Sequence, residues 1–243
     1  MCNERSTAAA RRVRLTSRKR KYHMSIKKKV FAVAATMTMV GGVSTVGLMS
    51  ANASTPSCGK TCVTGYGQEY GPSFVLDVLR QGEKVGQPLI LFRASNSDPA
   101  EDFTYSDDGT VADFYAAGLV SKGLNYAYPG DEAYELEYSP YGVDSGLCTG
   151  VGSTAGNGTA VTLQPCGASS KTVWVVDEAD GSDGYYPVIN GSDTSFSNPY
   201  VLHYPGNGYP TDMPRPALNT YTLQEYSSGA VYTNEMWTET DGS

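Results

Sequence analysis

The residues of this chain that could do chemistry are mostly carboxylates and aromatic rings. The sequence holds 25 Asp and Glu residues, 18 tyrosines and 2 histidines, and only His203 lies beyond residue 53. One histidine leaves little room for a Ser/His/Asp or Cys/His relay, and no G-x-S-x-G or H-E-x-x-H motif occurs. Paired carboxylates could cleave glycosides, but so many acidic residues make any chosen pair arbitrary. The sequence therefore predicts that the protein is not an enzyme.

Metal and cofactor sites are also not predicted. Asp177, Asp180 and Asp183 are spaced loosely like a calcium loop, but the EF-hand spacing is absent and a turn is expected there in any case. The cysteines and histidines show no spacing typical of zinc. We therefore expect no metal and no cofactor.

The tyrosines favour recognition rather than catalysis. One group precedes the middle of the chain and a pair follows it, at Tyr126, Tyr128, Tyr134, Tyr138, Tyr141, Tyr185 and Tyr186. Exposed tyrosines present a rigid amphipathic face that suits carbohydrate or protein ligands. The alternative is that about half of them alternate into the core of a sheet, and the sequence leaves both interpretations open.

The elements that would position these residues repeat three times along the chain. Each copy has a leucine, an aromatic residue 11 to 14 positions later, and then an Asp-Gly pair that is expected to form a turn. These landmarks are Leu91, Phe103, Asp108 and Gly109; Leu163, Trp174, Asp180 and Gly181; and Leu223, Trp237, Asp241 and Gly242. A period of roughly 60–70 residues seen three times indicates a repeat architecture.

Each copy has the pattern of β-strands. Short runs of β-forming residues lie between Gly and Pro turns, and no helical period is sustained. Three such units cannot bury their apolar faces alone, but they can close on one another with one aromatic residue each near a common axis. The predicted fold is therefore all-β, a single-domain β-trefoil with three pseudo-threefold repeats.

The same segments resemble a known family. LCTGV (147–151), TLQPCG (162–167) and the stretch around Trp174 are similar to the repeat of ricin-type (ricin B-like) β-trefoil lectins. The match covers most of the chain after about residue 62, and it is clearest in the middle copy. The chain departs from the family in one motif: a Gln two places before the tryptophan is replaced by Glu101, Thr172 and Glu235.

The resemblance implies where a sugar would bind. In the family each site lies within one repeat and combines an Asp on the first strand, an aromatic residue on the next strand, and an Asn/Gln pair before the tryptophan. The first copy matches with Asp77 and Phe92, and Glu101 or Asp102 would replace the amides, since Ala100 and Glu101 stand at their positions.

The other two copies match less well. The second has neither the carboxylate nor the ring and is expected not to bind; it offers Gly150, Gln164, Lys171 and Thr172. The third offers His203, Gln224, Asn234 and Glu235 and lacks both the Asp and the ring. Binding there would need a different mode that uses His203, Tyr204, Tyr209 and Asn234.

The beginning of the chain is predicted to be a leader. Residues 24–53 have a basic head, an apolar run over 30–49 and the small-x-small stretch Ala51–Ala53, all typical of a signal peptide. Residues 1–23 are interpreted as upstream read-through, and a basic nucleic-acid-binding arm is the alternative. The domain then spans residues 54–243, with repeats at about 62–109, 134–181 and 185–243 and an insertion over 110–133.

Removal of the leader changes the charge and the cysteine count. The remaining chain has 7 basic and 24 acidic residues, which repel phosphate backbones and anionic lipids, so nucleic acid and membrane insertion are not expected. It keeps four cysteines, an even number that suits a secreted protein. The family resemblance implies a Cys148–Cys166 disulfide, which leaves Cys58 and Cys62 to each other.

These observations lead to one prediction and one alternative. The prediction is a secreted, extracellular, non-catalytic protein that binds a glycan or polysaccharide. The alternative is a secreted interaction module or inhibitor that has lost sugar binding and contacts a secreted or cell-surface protein through the loops at 110–135 and 205–216, since specificity is often built on enlarged loops.

Overall fold

The part of the chain that the structure describes is built mainly from short β-strands joined by turns and loops. The computed structural model describes residues 62–95, 97–195, 198–204, 222–225 and 232–241. The strands found in these ranges are β1 Val63–Gly67, β2 Phe74–Val78, β3 Leu89–Arg93, β4 Phe103–Thr110, β5 Glu132–Tyr138, β6 Leu147–Val151, β7 Thr159–Pro165, β8 Val173–Val176, β9 Tyr186–Asn190, β10 Tyr200–His203, β11 Thr222–Glu225 and β12 Met236–Asp241. Two short helices, α1 Val111–Ala116 and α2 Lys122–Ala127, lie between β4 and β5.

Six of the strands close into a barrel. Antiparallel pairings run from β1 to β4, β5, β8, β9 and β12 in turn. The barrel is closed by β12, which pairs with β1 from Val63↔Asp241 to Gly67↔Trp237. Closure removes the open sheet edges that a single hairpin would expose.

The other six strands form three hairpins, one in each repeat. Their registers are equivalent: Leu76 pairs with Leu91 in β2–β3, Thr149 with Leu163 in β6–β7, and Leu202 with Leu223 in β10–β11. A six-stranded barrel with three equivalent hairpins is the β-trefoil. The fold class predicted from the sequence is confirmed.

The aromatic residue of each repeat lies in the core. Phe103, Trp174 and Trp237 stand at the start of β4, β8 and β12, and all three are buried in the same hydrophobic cluster. The Trp174 indole N–H donates to the Thr149 carbonyl oxygen at 3.1 Å, and the Trp237 N–H donates to the Leu202 carbonyl oxygen at 2.9 Å. These two acceptors are equivalent in the threefold arrangement, so each tryptophan holds the hairpin of its own repeat against the barrel.

One landmark has a different structure from the predicted one. Asp108-Gly109 was expected in a turn, but both residues lie inside β4, which continues to Thr110. The strand pairs with β5 throughout, with a register shift between Tyr105 and Asp107. Because β4 and β5 continue together beyond the barrel, the turn is displaced to the insertion.

The insertion is helical. The composition of residues 112–120 predicts one short strand or helical turn; the structure has the helical alternative there, α1, and a second helix, α2, after it. Thr110 and Asp113 form a capping box at the start of α1, and Ser121 caps α2. The helices bury apolar residues against the outer face of the barrel wall; this second cluster contains Val111, Phe114, Val120, Leu124, Ala133, Val173, Val175, Ile189 and Val201.

The disulfide expected in the middle repeat is present. Cys148 on β6 is bonded to Cys166, directly after β7. Cys62 is also disulfide-bonded, but Cys58 lies outside the described residues, so that pairing stays a prediction. Among the described residues, no helix has the length and apolar character needed to cross a membrane. The predicted leader also lies outside these residues.

Candidate functional site

The hairpin of the first repeat presents Asp77 and Phe92 on one face. In the β2–β3 register, Asp77 pairs with Ile90 and Val75 pairs with Phe92, while Leu76 and Leu91 alternate to the opposite face and join the core. Strand alternation therefore sends the carboxylate and the ring away from the barrel on the same side. Both residues line one open pocket, which we call the first-repeat pocket; its other lining residues are Leu79, Arg80, Gln81, Ile90, Asp98 and Ala100.

The two predicted residues differ in exposure. Phe92 is 45% exposed, which is unusual for a phenylalanine on a strand, whereas Asp77 is only 3% exposed. An accessible ring beside a recessed carboxylate can cover the C–H side of a sugar and accept hydrogen bonds from its hydroxyls.

Asp77 is an unusual carboxylate because its surroundings do not stabilise its charge. Burial, together with the nearby Asp98 and Glu101 carboxylates, raises its pKa to about 8. No N–H or O–H of the described residues donates to its oxygens. The Asp77 carboxyl is thus held with its acceptor atoms available to a ligand in the pocket.

Glu101 and Asp102 were expected to replace the family's amides, and the structure gives both of them backbone contacts. Glu101 is buried, and its oxygens accept from the Ser95 N–H at 2.8 and 3.0 Å. Burial raises the pKa of Glu101 to about 7, although the Ser95 N–H opposes this. Asp102 accepts from the Tyr141 N–H at 3.0 Å. Glu101 therefore fixes the turn after β3, and neither residue lines the first-repeat pocket.

Asp98 completes the acidic side of the pocket, and the sequence reasoning did not select it. It precedes the short helical turn 99–101, and its Oδ1 accepts from the Ala100 N–H at 3.0 Å and from the Gln81 side chain at 3.1 Å. The Asp-Pro dipeptide was the available signal, since Asp commonly caps such a turn before proline. Arg80 and Gln81 have positive φ angles of 56° and 53°, which the sequence does not indicate for these residue types.

The second repeat has no room for a comparable pocket. Gly150 occupies the position equivalent to Asp77, and a Cβ added there would lie 2.6 Å from the Lys171 carbonyl oxygen and 3.0 Å from the Thr172 side chain. The turn before β8 therefore packs directly on the hairpin. The expectation that the second copy does not bind sugar stays a prediction.

The third repeat places His203 at the position equivalent to Asp77. His203 is buried beside Glu235, with 3.9 Å between Nδ1 and Oε1, and burial lowers the pKa of His203. Asn234 donates from Nδ2 to the Tyr204 carbonyl oxygen at 3.2 Å. His203 and Asn234 thus contact the protein interior, and the loop that follows Tyr204 lies outside the described residues.

The loosely spaced aspartates form a turn. Asp177 Oδ1 accepts from the N–H groups of Ala179 and Asp180, at 3.2 and 3.3 Å. Asp183, three residues after Asp180, has a positive φ of 55°. This is the turn structure that the sequence predicted between β8 and β9.

Comparison with known proteins gives structural similarity only. No family model and no curated protein matches the sequence. Among solved structures, the designed threefold-symmetric protein ThreeFoil matches with a TM-score of 0.48 and 16% identity over 74% of this chain and 97% of that chain. Rhizoctonia solani agglutinin matches with a TM-score of 0.44 and 15% identity over 74% of this chain and 95% of that chain.

An enzyme occurs among the similar structures as well. The exo-β-1,3-galactanase 1,3Gal43A from Clostridium thermocellum matches with a TM-score of 0.47 and 15% identity, over 74% of this chain but only 30% of that chain. At such identities the similarity concerns the fold. The strand pairings described above establish that fold independently.

Proposed function

We propose that this protein is a secreted, non-catalytic carbohydrate-binding β-trefoil whose glycan site is the first-repeat pocket. The observation that carries the proposal is the pairing of a 45% exposed Phe92 ring with the recessed Asp77 carboxyl in one open pocket. Neither residue is used by the barrel core, so the fold does not require this combination. A glycan would place an apolar ring face on Phe92 and hydroxyl groups toward Asp77.

The proposed sugar-binding residues divide by their contacts. Asp77 and Phe92 would contact the glycan directly, and Glu101 and Asp102 would hold the turn and the neighbouring loop around them. His203 and Asn234 are proposed only as a secondary site. Their described contacts are internal, and access to them would depend on the segment after Tyr204.

Two features support secretion: a disulfide in the chain beyond residue 53 and a signal-peptide composition before it. The Cys148–Cys166 disulfide is typical of oxidising compartments, and residues 24–53 have the composition of a signal peptide. The excess of acidic residues beyond residue 53 disfavours nucleic acid and anionic lipid as partners. A neutral glycan is compatible with this charge.

The test is a glycan array with the purified protein and the variant Phe92→Ala. Because Phe92 is exposed, the substitution should leave the fold intact and weaken glycan binding about tenfold or more, equivalent to the loss of about 1.4 kcal/mol. The matched control is Val143→Ala, which also trims an exposed apolar side chain but lies outside the pocket.

Two results would contradict the glycan proposal. One is an array without specific signal from a folded protein, and the other is equal binding by the parent and Phe92→Ala. An array without signal, together with capture of a secreted protein that Tyr126→Ala abolishes, would favour the interaction module instead. Tyr126 is suited to that role because it is 82% exposed on α2 of the insertion.

A further inference from the structure

Two carboxylates that line the first-repeat pocket, those of Asp77 and Asp98, lie beside a third, that of Glu101. Oxygen atoms of Asp77, Asp98 and Glu101 all lie within 4.8 Å of one another. Two oxygens bound to one calcium ion at 2.3–2.6 Å can be at most about 5 Å apart, so these three groups can reach a single ion without moving their backbones.

Ordinary protein contacts do not compensate the charge of this cluster. Among the described residues, no Lys, Arg or His lies within ion-pair distance of Asp77, Asp98 or Glu101. Three carboxylates this close repel one another when they are ionised, and a bound cation would remove that repulsion. The geometry of the cluster is therefore suited to a ligand of opposite charge.

Asp77 supplies the independent observation. It is 97% buried, yet it lines the pocket, and no described donor reaches its oxygens. Buried carboxylates almost always accept hydrogen bonds or bind cations, because an unsatisfied buried charge is costly. The other two groups keep capacity as well. The Asp98 side chain accepts both of its hydrogen bonds at Oδ1. The two Glu101 oxygens share the single N–H of Ser95, and each carboxylate oxygen has two lone pairs, so both residues can accept further contacts.

We propose that Asp77, Asp98 and Glu101 form a calcium-binding site at the inner end of the first-repeat pocket. All three ligands are oxygens, which selects hard cations over zinc or copper. Calcium fits better than magnesium, since it accepts irregular coordination while magnesium requires a near-ideal octahedron. The remaining positions face the open pocket, where water or ligand oxygens complete the shell. This site does not depend on the proposed glycan function.

The test is a calorimetric titration of the purified, EDTA-stripped protein with calcium chloride alone. We expect one ion per chain with a Kd on the order of 10⁻⁴–10⁻³ M, the range of extracellular calcium-binding modules, and weaker binding of magnesium chloride. Calcium at ten times this Kd should also raise the thermal midpoint by about 3–6 °C, because the ion binds only the folded state.

The variant Asp98→Asn tests the assignment of the ligands. The amide oxygen keeps the hydrogen bonds from Ala100 and Gln81 but loses the charge, so calcium affinity should fall at least about tenfold. The control Asp107→Asn makes the same change on the exposed part of β4 and should bind calcium like the parent. Asp77→Asn is the second ligand variant and should also lose binding.

The outcomes separate the two proposals. Absence of calcium heat up to about 10 mM with folded protein, or equal affinity of the parent, Asp98→Asn and Asp77→Asn, overturns the calcium site whatever the glycan array shows. Calcium binding that requires Asp98 supports it, even if the array gives no signal. Glycan binding that persists in EDTA together with absent calcium heat would leave the glycan function standing and remove the metal.

Discussion

At the scale of single residues, three equivalent positions explain why the repeats differ. Asp77, Gly150 and His203 occupy the same place on their hairpins, opposite Ile90, Thr162 and Thr222. Each faces the residue two places before the repeat's aromatic residue: Glu101, Thr172 or Glu235. The side chains at this one contact decide whether a repeat has a pocket, a closed surface or a buried polar pair.

The closed second repeat predicts a cost for Gly150→Ala. The added methyl group would lie 2.6 Å from the Lys171 carbonyl oxygen, so the turn must move, and overpacking of this kind lowers the free energy of unfolding by about 1–3 kcal/mol. Urea unfolding measures the change. The matched control is Gly152→Ala, whose new methyl group meets only the flexible Gln164 side chain at 3.6 Å. Equal stability of the two variants would show that the turn is not packed as described.

The third repeat predicts a pH effect for Glu235→Gln. Burial raises the pKa of Glu235 above its ordinary value of 4.5, so the folded protein keeps a proton that the unfolded chain has already released. Stability of the parent therefore falls as the pH rises through the interval above 4.5, and the glutamine variant lacks this loss.

The measurement is urea unfolding of both proteins from pH 4 to pH 8, the range in which Glu235 and His203 titrate. The stability of Glu235→Gln relative to the parent should increase with pH. Burial lowers the pKa of His203, whose Nδ1 lies 3.9 Å from the Glu235 carboxylate, so the two groups titrate as a coupled pair and the comparison reports the pair. The matched control is Glu83→Gln, the same change at an exposed site, and a difference that does not vary with pH for Glu235→Gln would contradict the assignment.

At the scale of elements, the aromatic residues hold hairpin and barrel together. Trp174→Ala removes a buried ring and its N–H donor to Thr149, and we expect a loss of about 3–5 kcal/mol in the free energy of unfolding. The control Tyr126→Ala removes a comparable ring that is 82% exposed, and it should change stability by less than about 0.5 kcal/mol. A small effect of Trp174→Ala, measured by denaturant unfolding, would place the tryptophan outside the core.

The disulfide of the middle repeat acts on the same hairpin. Cys148 and Cys166 are 18 residues apart, and closing a loop of this length stabilises the folded state by about 3 kcal/mol in the chain-entropy description. The double variant Cys148→Ala/Cys166→Ala should lose about that amount in denaturant unfolding. A reductant should then destabilise the parent more than the double variant, and equal sensitivity would be inconsistent with a stabilising bond.

At the scale of the whole molecule, the insertion is part of the structure rather than an appended loop. Val111, Phe114 and Leu124 are buried against Val175 and Ile189 on the outer face of the barrel. Barrel strand β8 is buried on both faces for this reason, and its sequence VWVV has no polar alternation. The helices therefore supply the cover that these apolar strands require.

Replacing residues 112–130 by a two-residue turn tests this role. Thr110 and Glu132 are paired across β4 and β5, so a short turn can join the strands without strain. Deletion should expose Val173, Val175 and Ile189 and cause lower stability and self-association, measured by thermal unfolding and light scattering. A monomeric variant with the parent's thermal midpoint would show that the helices do not stabilise the barrel.

The sequence by itself determined the architecture, because a threefold repeat of leucine and aromatic landmarks can bury its apolar faces in few ways. The resemblance of its repeats to ricin-type lectins also selected Asp77 and Phe92, and strand alternation explains why both lie on one face of the hairpin. Only the tertiary structure decided which residues surround them: Arg80 and Gln81 are brought in by a turn with positive φ angles that their residue types do not signal, and Asp98 by a separate short helical turn. It likewise turned the insertion into two helices packed on the barrel, because the wall they cover consists of strands distant in the chain.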